Sequence, residues 1–488
     1  MSLARRLCVV ALFAAVAAAQ QETAVDRLLG ELERTPALEK NLRVLCDEIG
    51  GRIPGSPAMA RAVKWAVEAF RAAGLERVET ETFTIPSSWA EGDTRIEVVE
   101  PARFRVRAAA VGWSPAGPGG GLEAEILDAG EGEDGRITRL GRDARGKILL
   151  LRSQTIATLQ DLAVSQRRAM VAAREAAQAG AVAVLLMSTR PRNLLYRHTN
   201  VIDGRLDRLP AAVLSRDDAL RILRLIESGR RVRMRLDLPN RTGGPVEAEN
   251  VVAEIRGREK PEEVVILGAH LDSWDLGTGC LDNGCNAAMI VEVARALRAA
   301  PAPRRTVRFV LFGAEEQGLL GSRAYVERHR AELDNVVAAI VHDIGTGRIS
   351  GYSLGGRKEL EPVLTQALAP VASRGATTHT GDAFFGSDHF DFLLQGIPAF
   401  VANQDTTDYI PNYHAESDTF DKVDLEELRR QAAIAAAAVY HIADRPARMG
   451  KRLKRAEIQS LLKETALDDQ LKLLGIWEDW TAGRRGRR

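Results

Sequence analysis

Residues 263–270 read EVVILGAH, an apolar run that ends in a histidine. An uninterrupted apolar run of this length is typical of a strand that is buried on both faces of a sheet. Comparable runs follow, separated by stretches with helical periodicity: TVRFVLFGAEE (306–316), NVVAAIVHD (335–343) and GIPAFVAN (396–403). The alternation predicts an α/β fold with a mixed central sheet sandwiched by helices.

Polar side chains stand where three of these runs end. His270 ends the first run, Glu315 and Glu316 end the second, and Asp343 ends the third. Ligands of open α/β sheets gather at the carboxyl ends of the strands. We therefore expect these residues to form one site.

Two loops supply further candidates for that site. The stretch GAHLDSWDLGTGCLDNG (268–284) adds Asp272 and Asp282, and DYIPNYHAESDTFDKVD (408–424) offers His414. Histidine and carboxylates without a thiolate suit zinc in a hydrolytic site. In this arrangement His270 binds one metal, Asp272 holds the other N–H of the imidazole, and Asp282 bridges two metals. His270 alone is more simply explained as a hydrogen-bonded loop histidine; the combined pattern favours the metal site.

The first residues, MSLARRLCVVALFAAVAAAQQ, resemble a secretory signal peptide with cleavage after Ala19. A short membrane anchor is the alternative, but the apolar run is shorter than the roughly 20 residues that a spanning helix needs. We expect a secreted or periplasmic protein without a membrane segment after cleavage. The formal charge of +1 gives no indication of nucleic acid or an anionic membrane as a partner.

Turn-rich stretches suggest the domain boundaries. WSPAGPGGG (113–121) and PNRTGGPVEAEN (239–250) surround a segment with its own strand and helix patterns. The predicted order is signal peptide 1–19, the N-terminal part of the main domain 20–121, an inserted α/β domain 122–245, the metal-binding core of the main domain 246–448, and a basic C-terminal tail 449–488 with a helical pattern. We expect this tail to be solvated and to pack loosely; a helix at a homodimer interface is the alternative.

Several motifs, in this order, resemble those of one family: HLDSWD (270–275), LDNG (281–284), AEEQGLLGS (314–322), HDIGT (342–346), GSDHFDFLLQGIPA (386–399) and YHAESDTFDKV (413–423). The chain is similar to the co-catalytic zinc exopeptidases that include bacterial leucyl aminopeptidases and plasma glutamate carboxypeptidase (carboxypeptidase Q). The resemblance extends to about Ala443, and the inserted segment resembles a protease-associated domain. It implies the corresponding zinc-peptidase fold, related to phosphorylase/hydrolase-like folds.

The resemblance also implies roles for individual residues. His270 and Asp343 would hold one zinc ion, Glu316 and His414 the other, and Asp282 both. Glu315 would be the general base, because it precedes a ligand and can take the proton of an activated water.

Further roles follow from the same resemblance. Tyr413 is similar to the tyrosine that donates to the tetrahedral oxyanion in some relatives, although a packed loop tyrosine is an equal alternative. Ser387, Asp388 and His389 are candidates for the pocket that receives the residue on the amino side of the cut bond; His389 is also readily explained as a structural histidine. The Asp282–Asn283 peptide is expected to be cis.

Cysteine usage leaves one question open. Cys46, Cys280 and Cys285 remain after removal of the signal peptide, so at least one thiol is free or pairs outside the chain. Cys280 and Cys285 surround Asp282, and they are either a disulfide around the ligand loop or free thiols.

These observations predict an exported zinc metallopeptidase with two Zn²⁺ ions, which removes terminal residues from short peptides. It would be an aminopeptidase or a carboxypeptidase Q-like dipeptidase. The alternatives are a glutaminyl cyclase-like acyltransferase with a single zinc ion, and a non-catalytic binding protein on a peptidase scaffold, which would have lost ligands. The expected partner is a peptide substrate, with a possible homodimer.

Overall fold

The computed structural model describes residues 24–33, 37–132 and 135–488. The predicted signal peptide lies outside the described residues. Within those residues, no helix combines the length and the apolar character that a membrane crossing requires.

The strands are, in chain order, β1 (Arg77–Ile85), β2 (Trp89–Ala90), β3 (Arg95–Glu100), β4 (Phe104–Val106), β5 (Ala108–Ala110), β6 (Leu122–Asp128), β7 (Ile148–Leu151), β8 (Ala183–Met187), β9 (Ala211–Leu214), β10 (Arg233–Asp237), β11 (Arg241–Thr242), β12 (Val246–Ile255), β13 (Lys260–His270), β14 (Arg305–Phe312), β15 (Val336–Val341), β16 (Ile349–Ser353) and β17 (Ala399–Gln404).

The α-helices are α1 (24–33), α2 (Ala37–Arg43), α3 (Pro57–Ala72), α4 (Arg136–Leu140), α5 (Leu159–Ala179), α6 (Arg216–Glu227), α7 (Cys285–Ala299), α8 (Leu320–Arg328), α9 (Glu361–Leu368), α10 (His389–Leu394), α11 (Tyr409–Asn412), α12 (Leu425–Asp444), α13 (Arg455–Glu464), α14 (Leu467–Leu473) and α15 (Ile476–Thr481). A π-helical turn occupies Val44–Ile49, and short 3₁₀ segments occupy Gly141–Ala144, Lys358–Leu360, Ala369–Arg374 and Phe420–Lys422.

The larger sheet has seven strands in the order β1-β12-β14-β13-β15-β17-β16. Its centre, β14-β13-β15-β17, is parallel, and the strands on either side run antiparallel to their neighbours. Helices cover both faces: α1, α2, α3, α7, α9 and α12 contribute to one apolar core, and α8, α10, α13, α14 and α15 to the other. The predicted mixed sheet between two helical layers is confirmed.

The helix α12 shows how the first layer packs so tightly. Its central residues, 432–438, are alanines apart from Ile434, and all of them are buried. Small side chains let the helix approach α7 and the central strands closely. The neighbouring helix α7 is likewise buried over most of its length. This layer fixes the carboxyl ends of β13 and β14 at one edge of the sheet.

The C-terminal segment differs from the loosely packed tail that we expected. It forms α13, α14 and α15, and the side chain of Trp480 is only 1% exposed. Arg485 makes two hydrogen bonds of 2.8 and 2.7 Å to the buried carboxylate of Asp391. The segment is basic overall, but its apolar residues pack in the core on the second face of the larger sheet.

A second sheet has eight strands in the order β4-β3-β10-β6-β7-β8-β9-β5. It includes residues 95–110, which lie before the boundary that we placed at residue 122. The presumed junction, 113–121, is part of this unit, since it joins β5 to β6, which are both strands of this sheet. The two-stranded pair β2-β11 connects the unit to the larger sheet, and we call residues 89–242 the second unit.

Candidate metal centre

The register of the central strands brings the predicted ligands together. His270 is the last residue of β13 and pairs with Phe312 of β14. Glu315 and Glu316 follow β14 within four residues, and Asp343 follows β15, the other neighbour of β13, within two. Three strand ends therefore converge at one edge, as the sequence predicted.

The five predicted ligands form two overlapping groups. In the first, His270 Nε2 lies 2.8 Å from Asp343 Oδ1 and 3.2 Å from Asp282 Oδ1. In the second, His414 Nε2 lies 2.9 Å from Glu316 Oε2 and 3.2 Å from Asp282 Oδ2. Asp282 contributes one oxygen to each group.

The donor set fits zinc. All five side chains are buried, and within each group the candidate ligand atoms lie within 4.8 Å of one another. Ligands of a tetrahedral zinc ion with bonds of about 2 Å are separated by about 3.3 Å, close to the observed spacings. Glu316 Oε1 has no hydrogen-bond partner among the described residues, and Asp282 Oδ2 meets only the imidazole of His414, at 3.2 Å. Buried carboxylate oxygens in this condition are ready to coordinate a cation.

The charges of the cluster also favour a cation. Burial raises the pKa of Glu316 to about 7, with His414 acting against the rise and Asp282 adding to it. Burial raises the pKa of Asp343 as well, although His270 opposes it. Burial also acts to raise the pKa of Asp282, but hydrogen bonds to the two imidazoles outweigh it and lower that pKa. The three carboxylates raise one another's electrostatic energy, which a divalent ion would relieve.

Asp272 contacts Nδ1 of His270, but through its backbone oxygen and not through its carboxylate. The Nδ1 of His270 lies 3.0 Å from the backbone oxygen of Asp272, whereas the nearest carboxylate oxygen is 3.7 Å away. Because a carbonyl only accepts, Nδ1 carries the hydrogen and Nε2 is left free as a ligand. The carboxylate instead accepts the backbone N–H groups of Glu315, at 3.1 Å, and Glu316, at 3.3 Å. Asp272 thus connects the end of β13 to the loop that follows β14.

Glu315 stands apart from both ligand groups. It is partly exposed, and its carboxylate makes no hydrogen bond with a described residue. Burial raises the pKa of this carboxyl well above its usual range, with His270 opposing the rise and Asp343 and Glu316 adding to it. A carboxylate that is near the metal ligands, free of partners and inclined to hold a proton has the properties of a general base.

Two tyrosines adjoin the cluster, of which the sequence suggested only one. The ring of Tyr413 stacks on His414 with centroids 3.6 Å apart, and its hydroxyl lies 3.3 Å from Nε2 of Gln166. Tyr409 is buried and donates to the backbone oxygen of Asp343 over 3.3 Å. The role of Tyr413 at the oxyanion stays a prediction.

The three candidates for the substrate pocket are buried rather than exposed. Ser387, Asp388 and His389 have at most 2% of their surface accessible. Burial lowers the pKa of His389 to about 4, and its ring packs against Phe384 at 4.8 Å. A neutral, packed imidazole agrees with the structural alternative for His389. Phe384 is more accessible than these three residues, so it is better placed to meet a ligand.

Sequence reasoning missed two charged residues that hold the ligand loop. The guanidinium of Arg52 is fully buried and donates to the backbone oxygens of Leu271, Gly50, Thr278 and Gly279 over 2.6 to 3.0 Å. Burial lowers its pKa to about 10, so it remains charged at neutral pH.

At the other end of the loop, the carboxylate of Asp418 accepts the N–H of Leu281 at 2.6 Å and of Asp282 at 3.1 Å. Arg52 lies in the stretch IGGRIPGS (49–56) and Asp418 in the quoted motif YHAESDTFDKV, so the motifs contained the only available signal.

The cysteines pair in a way that we did not consider. Cys46 and Cys280 form a disulfide with their Cα atoms 5.6 Å apart, and Cys285 is a free, buried thiol. The expected free thiol is thus Cys285. Both alternatives for Cys280 and Cys285 are wrong, because the two are not bonded to each other and Cys280 is not free. The bond ties the turn Val44–Ile49 to the loop of Asp282. The Asp282–Asn283 peptide is cis, as expected from the resemblance.

Comparison with known proteins identifies the family of the chain. The sequence model of peptidase family M28 matches residues 250–439, which contain all five candidate ligands. Carboxypeptidase Q of Bos taurus is 30% identical over 410 residues, which is 83% of this chain and 85% of that protein. The chain belongs to peptidase family M28. It is a metallopeptidase.

Solved structures confirm the fold. The peptidase M28 precursor of Shewanella amazonensis SB2B has a TM-score of 0.78 at 27% identity, covering 89% of this chain and 99% of that one. BSAP, a zinc aminopeptidase from Bacillus subtilis, has a TM-score of 0.67 at 22% identity, covering 86% of this chain and 97% of that one. Because these alignments cover 86–89% of this chain, they include most of the second unit as well as the larger sheet.

Proposed function

We propose that this M28 peptidase is an exported exopeptidase that uses two zinc ions to remove terminal residues from short peptides. The observation that carries the proposal is the pair of ligand groups that share Asp282, with the unpaired carboxylate of Glu315 beside them. Carboxypeptidase Q and a zinc aminopeptidase are among its relatives, which supports hydrolysis at a peptide terminus.

Each side chain has a defined task in this proposal. His270 and Asp343 would hold one zinc ion, Glu316 and His414 would hold the other, and Asp282 would supply one oxygen to each site. When bound, the two ions would polarise the scissile carbonyl and lower the pKa of the attacking water.

Glu315 takes the proton of that water and passes it to the leaving amine. Asp272 holds Glu315 and Glu316 in register through their backbone N–H groups, so that base and ligand keep a fixed separation. The hydroxyl of Tyr413 accepts a hydrogen bond from Nε2 of Gln166, so its own hydrogen is free to donate to the oxygen on which negative charge develops. These roles leave the five ligand side chains to bind metal and assign all proton transfer to Glu315.

A peptide set tests the proposal directly. The purified zinc-loaded enzyme is incubated with peptides that are free or blocked at either end, and the products are identified by mass spectrometry. Loss of residues only from free amino termini indicates an aminopeptidase, and loss only from free carboxyl termini indicates a carboxypeptidase. Cleavage of dipeptides alone indicates a dipeptidase. Cleavage inside doubly blocked peptides, or no cleavage by a protein that holds two zinc ions, would contradict the exopeptidase proposal.

A further inference from the structure

The backbone around His414 is held by a loop of the second unit. This loop, residues 188–200, follows β8, and we call it the strap. The N–H of Arg197 donates to the backbone oxygen of His414 over 2.9 Å. The guanidinium of Arg190 donates to the backbone oxygen of Tyr413 over 2.5 Å. The carbonyls of the ligand and of the residue before it are thus both fixed by the strap.

The backbone of His414 needs such support. Its φ is +57°, in the left-handed region that residues with a Cβ adopt infrequently. A residue persists in this region where its surroundings determine the conformation. The two strap contacts act on either side of this torsion, and they therefore set the direction in which the imidazole leaves the chain.

The contact continues beyond the ligand. Tyr196 forms an isolated antiparallel bridge with Ala415. The N–H of Glu416 donates to the oxygen of Leu195 at 3.1 Å, and the N–H of Leu195 donates to Glu416 Oε1 at 3.2 Å. Arg107, also of the second unit, donates to Glu416 Oε2 at 2.5 Å. Residues 413–416 are therefore joined to the second unit at every position, mainly through backbone hydrogen bonds.

Arg190 is the central residue of the strap. Its side chain is 1% exposed and makes no ion pair with any described residue. Its charge is compensated by the Tyr413 oxygen, by Thr189 Oγ1 at 2.9 Å, and by the ring faces of Tyr196 and Tyr413. A buried charge without a carboxylate is unfavourable unless such contacts are all present. The guanidinium is therefore directed at the loop of His414 and not at an acidic partner.

We propose that the strap is a positioning device for one of the two zinc sites, with Arg190 as its main positioning residue. The inference rests on the two-zinc function proposed above. It assigns a specific task to the second unit: the zinc ion at Glu316 and His414 depends on a unit other than the one that carries its ligands. The other zinc ion would be held by His270 and Asp343, which stand at the ends of neighbouring strands of the larger sheet. Its binding does not depend on the second unit.

The test measures zinc binding directly. Wild type, Arg190→Met, Arg190→Lys and His414→Ala are titrated with zinc against a chromophoric chelator, and bound metal is counted by elemental analysis. Arg357→Met is the matched control, because Arg357 is also buried and bonds to a backbone oxygen, that of Lys451, away from the site. Loss of a supporting contact weakens metal binding by about 10–100-fold. We expect this loss for one of the two zinc equivalents in Arg190→Met, a smaller loss in Arg190→Lys, and none in the control.

The outcomes separate the two proposals. If wild type binds two zinc ions and folded Arg190→Met retains both with unchanged affinity, the positioning role is overturned. If wild type binds one zinc ion that survives His414→Ala, the two-zinc function itself fails. Should Arg190→Met not fold, the double variant Arg107→Gln with Glu416→Gln removes the ion pair between these two residues at the more exposed end of the contact. It should show the same selective loss with a smaller magnitude, and full retention of both ions there would also overturn the role.

Discussion

The adjacent residues Glu315 and Glu316 allow the base to be separated from the ligand. Glutamine has nearly the same size as glutamate, and the carboxylate of Glu315 makes no hydrogen bond with a described residue. Glu315→Gln should therefore keep the fold and both zinc ions and remove only proton transfer. The expected loss of turnover is about 10²–10⁴-fold. This corresponds to about 2.7–5.4 kcal/mol of activation free energy at 1.36 kcal/mol per factor of ten.

Glu316→Gln should behave differently, because Glu316 Oε2 lies 2.9 Å from His414 Nε2 and no residue in the described part of the chain bonds to Oε1. Loss of a supporting residue weakens metal binding by up to about 100-fold, and loss of a ligand should weaken zinc binding at one of the two sites by more than that. Added zinc should then restore part of the activity. Turnover and metal content must be measured on the same samples. Full turnover in Glu315→Gln, or loss of zinc from it to the same extent as from Glu316→Gln, would refute the assigned roles.

Three further changes test the supports of the site and the fold. Arg52→Met removes the donor from four backbone oxygens, of which those of Leu271 and Gly279 are buried. It should lower the free energy of unfolding, measured by denaturant titration, by at least about 2 kcal/mol, and a change below about 1 kcal/mol would contradict this. Cys46→Ser should lower stability by about 2–5 kcal/mol, and a reductant should lower wild type to the same level without affecting the variant. Trp480→Ala should cost about 3–5 kcal/mol if the C-terminal helices seal the sheet, and an unchanged thermal midpoint would show that they do not.

Site residues that stand at the ends of strands could be predicted from the sequence. Residues that contact the site from distant parts of the chain could not. His270, Glu315, Glu316 and Asp343 were identified because the carboxyl ends of parallel strands share an edge, a rule that needs only local patterns. Arg52 meets Gly279 across 227 positions, and no periodicity indicates such a contact. The same holds for the Cys46–Cys280 bond, which spans 234 positions.

The boundary of the second unit shows a different limit. Strands β3 and β4 have ordinary strand patterns, which look the same whichever sheet they join. The Pro/Gly-rich stretch 113–121 was the most conspicuous break, yet it lies inside the unit, and the true connection is the two-residue pair β2-β11. In the C-terminal segment, abundant arginine and lysine masked apolar residues whose burial depends on a sheet formed by other parts of the chain.

The pairing of β1 with β12 has a consequence for the order of folding. Ile85 faces Val246 in this ladder, although about 160 residues of chain separate them, and joining the ends of so long a loop is entropically unfavourable. If the second unit folds first, β2 and β11 already bring Trp89 next to Thr242, and only a few flexible residues remain to be closed on either side. The edge of the larger sheet should therefore form late, in a step whose rate rises with the stability of the second unit. Hydrogen-exchange labelling during refolding would show protection appearing in β6 to β9 before it appears in β1.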